Sequence, residues 1–139
     1  MERFWSSARS PGRSVVVRSV LLVDDDADIR EAAAFVLEDA GYHVVSAANG
    51  KEALSALERG LRPSVIVLDL MMPVMNGWEF HDNVRHNADL ASIPMVVVTG
   101  DPMATQRADK LEVAAYLRKP FDASALLDLV GRIASPNPT

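Results

Sequence analysis

The sequence contains no cysteine. Disulfides, zinc–thiolate sites and thiol nucleophiles are therefore excluded. It also lacks any apolar run near the ~18 residues that a membrane-spanning helix needs, so no membrane insertion is expected. The opening stretch MERFWSSARSPGRSVVV holds arginines and serines but no uninterrupted apolar core, unlike a secretory signal. Excess positive charge is missing too: the net charge is −5, against the basic patch of a nucleic-acid binder. There are no internal repeats and no low-complexity blocks. What is there fits a cytoplasmic globular protein. At 139 residues, 49% hydrophobic and 24% charged, the chain suffices for one buried core.

Punctuation residues divide the chain. Residues 1–17 include Pro11 and Gly12 and show no periodicity, so a flexible leader is expected there. Pro136 and Pro138 forbid a helix in the closing SPNPT, and residues 136–139 are expected to be a disordered tail. The folded unit is placed at 18–135. Arg3, Arg9, Arg13 and Arg18 sit at its start or before it, which leaves the rest distinctly acidic. Such acidity attracts a metal ion or a basic partner surface.

Within that unit, strand and helix signals alternate. Val20–Val23, Val65–Leu68 and Met95–Val98 are continuous apolar runs of strand length, the mark of parallel strands buried on both faces. Tyr42–Ser46 and Ala114–Leu117 are weaker strand candidates. Ala27–Ala40 reads as a helix with Ile29, Ala33, Val36, Leu37 and Ala40 on one face and Gly41 as its stop. Asn49 caps a second helix over Gly50–Arg59, and Asn76 a third over Gly77–His86. A short helix is expected near Met103–Leu111. A last one spans Asp122–Ile133, striped by Ala125, Leu126, Leu129, Val130 and Ile133. This alternation predicts an α/β fold: a doubly wound parallel sheet of five strands with five helices. Ligands bind such sheets at the carboxyl ends of the strands.

Those ends carry the chemistry. In LLVDDDADIR, Asp24, Asp25 and Asp26 follow the first strand directly, with Asp28 close behind. Asp69 ends the third strand after VIVL. If the two strands are neighbours, several carboxylates meet in one crevice, and a divalent cation would relieve their repulsion. Oxygen ligands without cysteine or nearby histidine favour Mg²⁺. Thr99 follows the fourth strand and Lys119 the fifth. A carboxylate nucleophile with a metal, a hydroxyl and an ammonium around it is suited to phosphoryl transfer. Asp26 and Asp28 read instead as helix N-terminal residues. Trp78, Met71, Met72 and Met75 read as packing residues, and His43, His81 and His86 as surface or structural ones.

The segments LLVDDDADIR, VIVLDLMMPVMNGWEF, IPMVVVTG and AYLRKPF occur in an order that resembles the receiver domain of two-component response regulators, over roughly residues 19–134. The likeness is to stand-alone, chemotaxis-regulator-like receivers. The resemblance implies a flavodoxin-like strand order of 2-1-3-4-5. It implies Asp69 as phospho-acceptor and Asp24 and Asp25 as the Mg²⁺-holding pair, with Asp69 and the Met71 backbone carbonyl completing the metal set. Thr99 and Lys119 would bind phosphoryl oxygens, Thr99 and Tyr116 would act as switch residues, and the Lys119–Pro120 bond would be cis. The implied donor is a sensor histidine kinase or a histidine phosphotransfer protein. Output would run through altered contacts with a downstream protein of unstated identity, without direct DNA binding. The only reactions implied are its own phosphorylation and dephosphorylation.

Some positions depart from the family pattern. The stretch from Thr99 to Lys119 is slightly short, Gly100 stands where alanine is commoner, and the usual glycine before the fifth strand is absent from LEVAAYL. An irregular Gly100–Val113 segment is expected, and the output surface is what these departures touch. Other readings stay open: a pseudo-receiver that binds without phosphorylation, a receiver fragment of a longer regulator, or a haloacid-dehalogenase-like phosphatase using the Asp-x-Asp within DDDAD.

Overall fold

The three apolar runs form the middle of one parallel sheet. In order along the chain, the strands are β1 (Ser19–Val23), β2 (His43–Ala47), β3 (Val65–Asp69), β4 (Met95–Thr99) and β5 (Ala115–Arg118). They are arranged β2-β1-β3-β4-β5, and every pair is parallel. This is a computed structural model that describes residues 18–101 and 111–134. The leader, the tail and all but the end of the helix expected near Met103–Leu111 lie outside the described residues.

Four helices are present among the described residues: α1 (Ala27–Asp39), α2 (Gly50–Glu58), α3 (Gly77–Arg85) and α4 (Ala123–Ala134). Each starts at a side-chain cap. Asp26 Oδ1 accepts from the Asp28 and Ile29 amides, Asn49 from Glu52, and Asp122 from Ala125. Asn76 and Glu79 cap each other's backbone at the start of α3. Asp26 is thus a cap, the role read for it above.

The sheet is buried on both sides, and alternate residues go to opposite faces. Leu21, Val23, Ile66 and Leu68 pack with Ala53 and Leu57 of α2 and Phe80 and Val84 of α3. Val20, Leu22, Val65, Val67, Val96 and Val98 pack with Ala33 and Leu37 of α1 and Leu126 and Val130 of α4. Strands β3 and β4 are buried at every position, whereas the edge strands β2 and β5 are not. The apolar face read for α1 is narrower than expected. Only Ala33 and Leu37 are buried, while Ala40 is the exposed C-cap. Ile29 and Val36 instead line an apolar cavity of about 370 Å³ with Pro120, Phe121 and Leu126.

Two close approaches set the loop after β3. A Cβ on Gly77 would lie 2.7 Å from Leu70 Cα and 2.8 Å from the Asp69 carbonyl oxygen. One on Gly50 would lie 2.8 Å from the Met75 carbonyl oxygen, which already accepts the Gly50 amide at 3.0 Å. Between these glycines Val74 takes φ +71°, and the Met75 amide reaches back to the Pro73 carbonyl at 2.8 Å. A β-branched residue there is strained. The contacts at Gly50 and Gly77 hold the loop against that strain.

Candidate functional site

Strand register brings the acidic segments together. Val23 lies opposite Leu68, so the residues that follow each, Asp24 and Asp69, sit side by side at the carboxyl edge. Asp69 and Thr99 are the last residues of β3 and β4 rather than the first residues beyond them, since Lys119 donates its amide to the Thr99 carbonyl at 3.0 Å and prolongs the pairing. Asp24, Asp69 and Thr99 are all buried, whereas Asp25 is exposed. One carboxylate oxygen each from Asp24, Asp25 and Asp69 lie within 4.8 Å of one another.

Each group in the crevice has partners. Asp24 accepts the Asp26 amide on Oδ1 at 2.9 Å and the Lys119 ammonium on Oδ2 at 2.8 Å. The same Lys119 Nζ donates to Asp69 Oδ2 at 3.3 Å, and Asp69 Oδ1 accepts the Met71 amide at 3.2 Å. Thr99 Oγ1 accepts the Asp101 amide at 3.2 Å, which leaves its proton to point elsewhere. The Lys119–Pro120 peptide bond is cis.

Burial dominates the electrostatics of Asp69. It pushes the carboxyl up from 3.8 to about 6; Lys119 opposes this, Asp24 adds to it, and the Met71 amide opposes it. For Lys119, burial alone would pull the ammonium down. The hydrogen bond to Asp24 and the charges of Asp69 and Asp24 together outweigh it, so its pKa lies above the ordinary value. Two buried carboxylates therefore share one ammonium, with the third carboxylate, Asp25, close beside them. The donor set suits a hard divalent cation: oxygen only, one ligand open to water, and a buried acid whose ionised form needs more positive charge.

Residues 20–131 match the family described as response regulator receiver domain. The chain belongs to that family. Among curated relatives, response regulator Rre1 of Synechocystis is 37% identical over 81% of this chain, and response regulator MprA of Mycobacterium leprae 39% over 82%. The chain spans only 49% of the first and 48% of the second, about half of each. Among solved structures, the chemotaxis protein CheY4 of Vibrio cholerae is 36% identical with a TM-score of 0.77, over 85% of this chain and 99% of that one. The receiver domain of sensor histidine kinase PA1611 from Pseudomonas aeruginosa is 25% identical with a TM-score of 0.78, over 86% and 98%. That structure has a magnesium ion coordinated in its active-site cleft.

In this receiver the residues named from sequence divide into those at the crevice and those away from it. Asp24, Asp25, Asp69, Thr99 and Lys119 converge on the carboxyl edge. Tyr116 stands on the edge strand β5, opposite Val97 and 39% exposed. Met72 and Met75 pack into the core, but Met71 does not: at 52% exposed it stands on the crevice rim, a correction to its reading as a packing residue. Met71 lies two residues past the end of β3, in the loop, where the sheet does not cover it.

Two features escaped the sequence reading. Arg30 Nη1 donates to the Asp24 carbonyl at 2.7 Å. His81 is buried, and its Nε2 must donate to the Glu112 carbonyl at 2.9 Å because that oxygen can only accept. Arg85 Nη2 donates to the same oxygen at 3.0 Å. The missing glycine before β5 hinted at an unusual entry to that strand, but only the fold shows that α3 holds it.

Proposed function

We propose that this receiver takes a phosphoryl group onto Asp69 from a sensor histidine kinase or histidine phosphotransfer protein, in the cytoplasm, with Mg²⁺ bound by Asp24, Asp25, Asp69 and the Met71 carbonyl. The observation that carries the reading is Asp69 itself. A buried carboxylate with a raised pKa lies close to two other carboxylates and accepts a hydrogen bond from the Lys119 ammonium. One Asp69 oxygen attacks phosphorus in line, and the bond from phosphorus to the donor's imidazole nitrogen breaks with its electron pair returning to the ring. Lys119 and the Thr99 hydroxyl then bond phosphoryl oxygens. A bound Mg²⁺ supplies charge neutralisation and favours ionised Asp69. The only chemistry the protein performs is on its own aspartate.

Phosphorylation alters contacts with a downstream protein. Thr99 is drawn toward the phosphoryl group, and Tyr116, on the neighbouring strand β5 opposite Val97, changes its exposure. Incubation with acetyl phosphate and Mg²⁺, read by intact mass, tests the acceptor role. One added phosphoryl group, absent in Asp69→Asn, supports it. No adduct would favour a pseudo-receiver that binds without phosphorylation.

A further inference from the structure

We propose that Arg30 is a positioning residue for the metal ligands Asp24 and Asp25, acting through the backbone of the turn that carries them. The inference rests on the receiver reading above. Its basis is a pair of bonds from one residue. The Arg30 guanidinium donates to the Asp24 carbonyl at 2.7 Å, and the Arg30 amide donates to the Asp26 carbonyl at 2.9 Å. The exposed ligand Asp25 lies between those two carbonyls. The guanidinium thus sets the peptide plane before Asp25, while the plane after it is held by the Asp26 amide bonded to Asp24 Oδ1.

The rest of the turn shows why this grip matters. Asp24 is fixed at its amide by the Ala47 carbonyl, at Oδ1 by the Asp26 amide and at Oδ2 by Lys119. Among the described residues Asp25 has no comparable set of side-chain bonds, so its carboxylate points where its backbone directs it. Arg30 is half-buried, and a charge-assisted bond of this length is among the stronger ones in proteins. Groups that orient metal ligands without touching the metal are typically worth about 10- to 100-fold in metal affinity.

Sign separates this role from simple electrostatics. Arg30 is a cation beside a cation site. Through charge alone, its removal would tighten Mg²⁺ binding. Through positioning, its removal loosens it.

The test uses the full chain, with Mg²⁺ titrations followed by amide NMR on the parent, Arg30→Met and Arg30→Lys. Arg30→Met keeps the stem and loses the donor, and should bind Mg²⁺ roughly 10-fold more weakly. Arg30→Lys keeps a donor and the charge, and should recover most of that loss. Without metal, hydrogen exchange at the Asp26 amide should be faster in Arg30→Met, because the turn that presents this amide to Asp24 Oδ1 is no longer held at the Asp24 carbonyl. An Arg30→Met variant that binds Mg²⁺ equally or more tightly overturns the inference, as does Arg30→Lys binding no better than Arg30→Met. A parent that binds no Mg²⁺ overturns the receiver reading, and this inference with it.

Discussion

Asp69→Asn should make the metal-free protein more stable at neutral pH. Asp69 is only 5% exposed and lies beside Asp24, and burial first of all raises its pKa from 3.8 to about 6. Folding therefore favours the protonated carboxyl. That contribution is fully present below the unfolded value, falls away between 3.8 and about 6, and is lost above it. At neutral pH the folded chain holds an ionised carboxylate in a site that disfavours it. At 1.36 kcal/mol per pH unit the cost has a ceiling of about 3 kcal/mol. Water at the crevice mouth, where Asp25 is exposed, screens part of it, leaving about 1–2 kcal/mol. Asparagine keeps the shape and can still accept from Lys119, which also retains Asp24. A rise in Tm of about 4–8 °C follows for a domain of this size.

The assay is thermal unfolding in chelator at neutral pH and near pH 5. The variant should lead at neutral pH, and its lead should shrink as the parent's carboxyl gains its proton. In excess Mg²⁺ the parent should recover more than the variant. A variant less stable than the parent at neutral pH, or a lead that ignores pH, would refute the claim that ionised Asp69 is disfavoured.

Removing the cation should do the opposite of removing the anion: Lys119→Ala leaves two buried carboxylates unpaired and should cost the metal-free protein about 3 kcal/mol, part of it restored by Mg²⁺ in a melting experiment. Gly77→Ala should destabilise by about 1–3 kcal/mol in urea unfolding, because its Cβ would meet the backbone of Leu70 and Asp69. It should also slow phosphorylation, since the backbone that must shift carries the acceptor. Met71 stands on the rim, half-exposed and unable to bond water strongly, so it should obstruct the attack that removes the phosphoryl group. In a phosphate-release assay in Mg²⁺, Met71→Asn should lose the group faster than the parent; equal or slower loss would show that Met71 does not guard the site.

Much of the fold can be read from sequence because strands buried on both faces are continuous apolar runs. Val65–Leu68 and Met95–Val98 have no other sensible reading. Their ends are harder to read. Thr99 joins β4 because of a hydrogen bond from Lys119, twenty residues away in sequence, and no local pattern encodes it. The α1 stripe was read too wide because an apolar residue type does not show whether a neighbour covers it: Ala40 is the exposed C-cap and Ile29 and Val36 line a cavity. Asp24, Asp25, Asp69, Thr99 and Lys119 were legible because each follows an apolar run. Arg30 was not. Its contribution is a bond to a main-chain oxygen, and no side-chain pairing in the sequence announces that.

The bonds from α3 to Glu112 tie two distant parts of the chain to one helix. Helix α3 begins where Gly77 presses on Asp69 and Leu70, and His81 and Arg85 then fasten the chain entering β5. One helix thus braces both the loop after the acceptor and the entry to the strand that leads to its ammonium. The shared acceptor is a peptide oxygen, so drift in the coding of position 112 leaves the fastening in place. Selection can act on that exposed side chain freely while the two donors stay constrained.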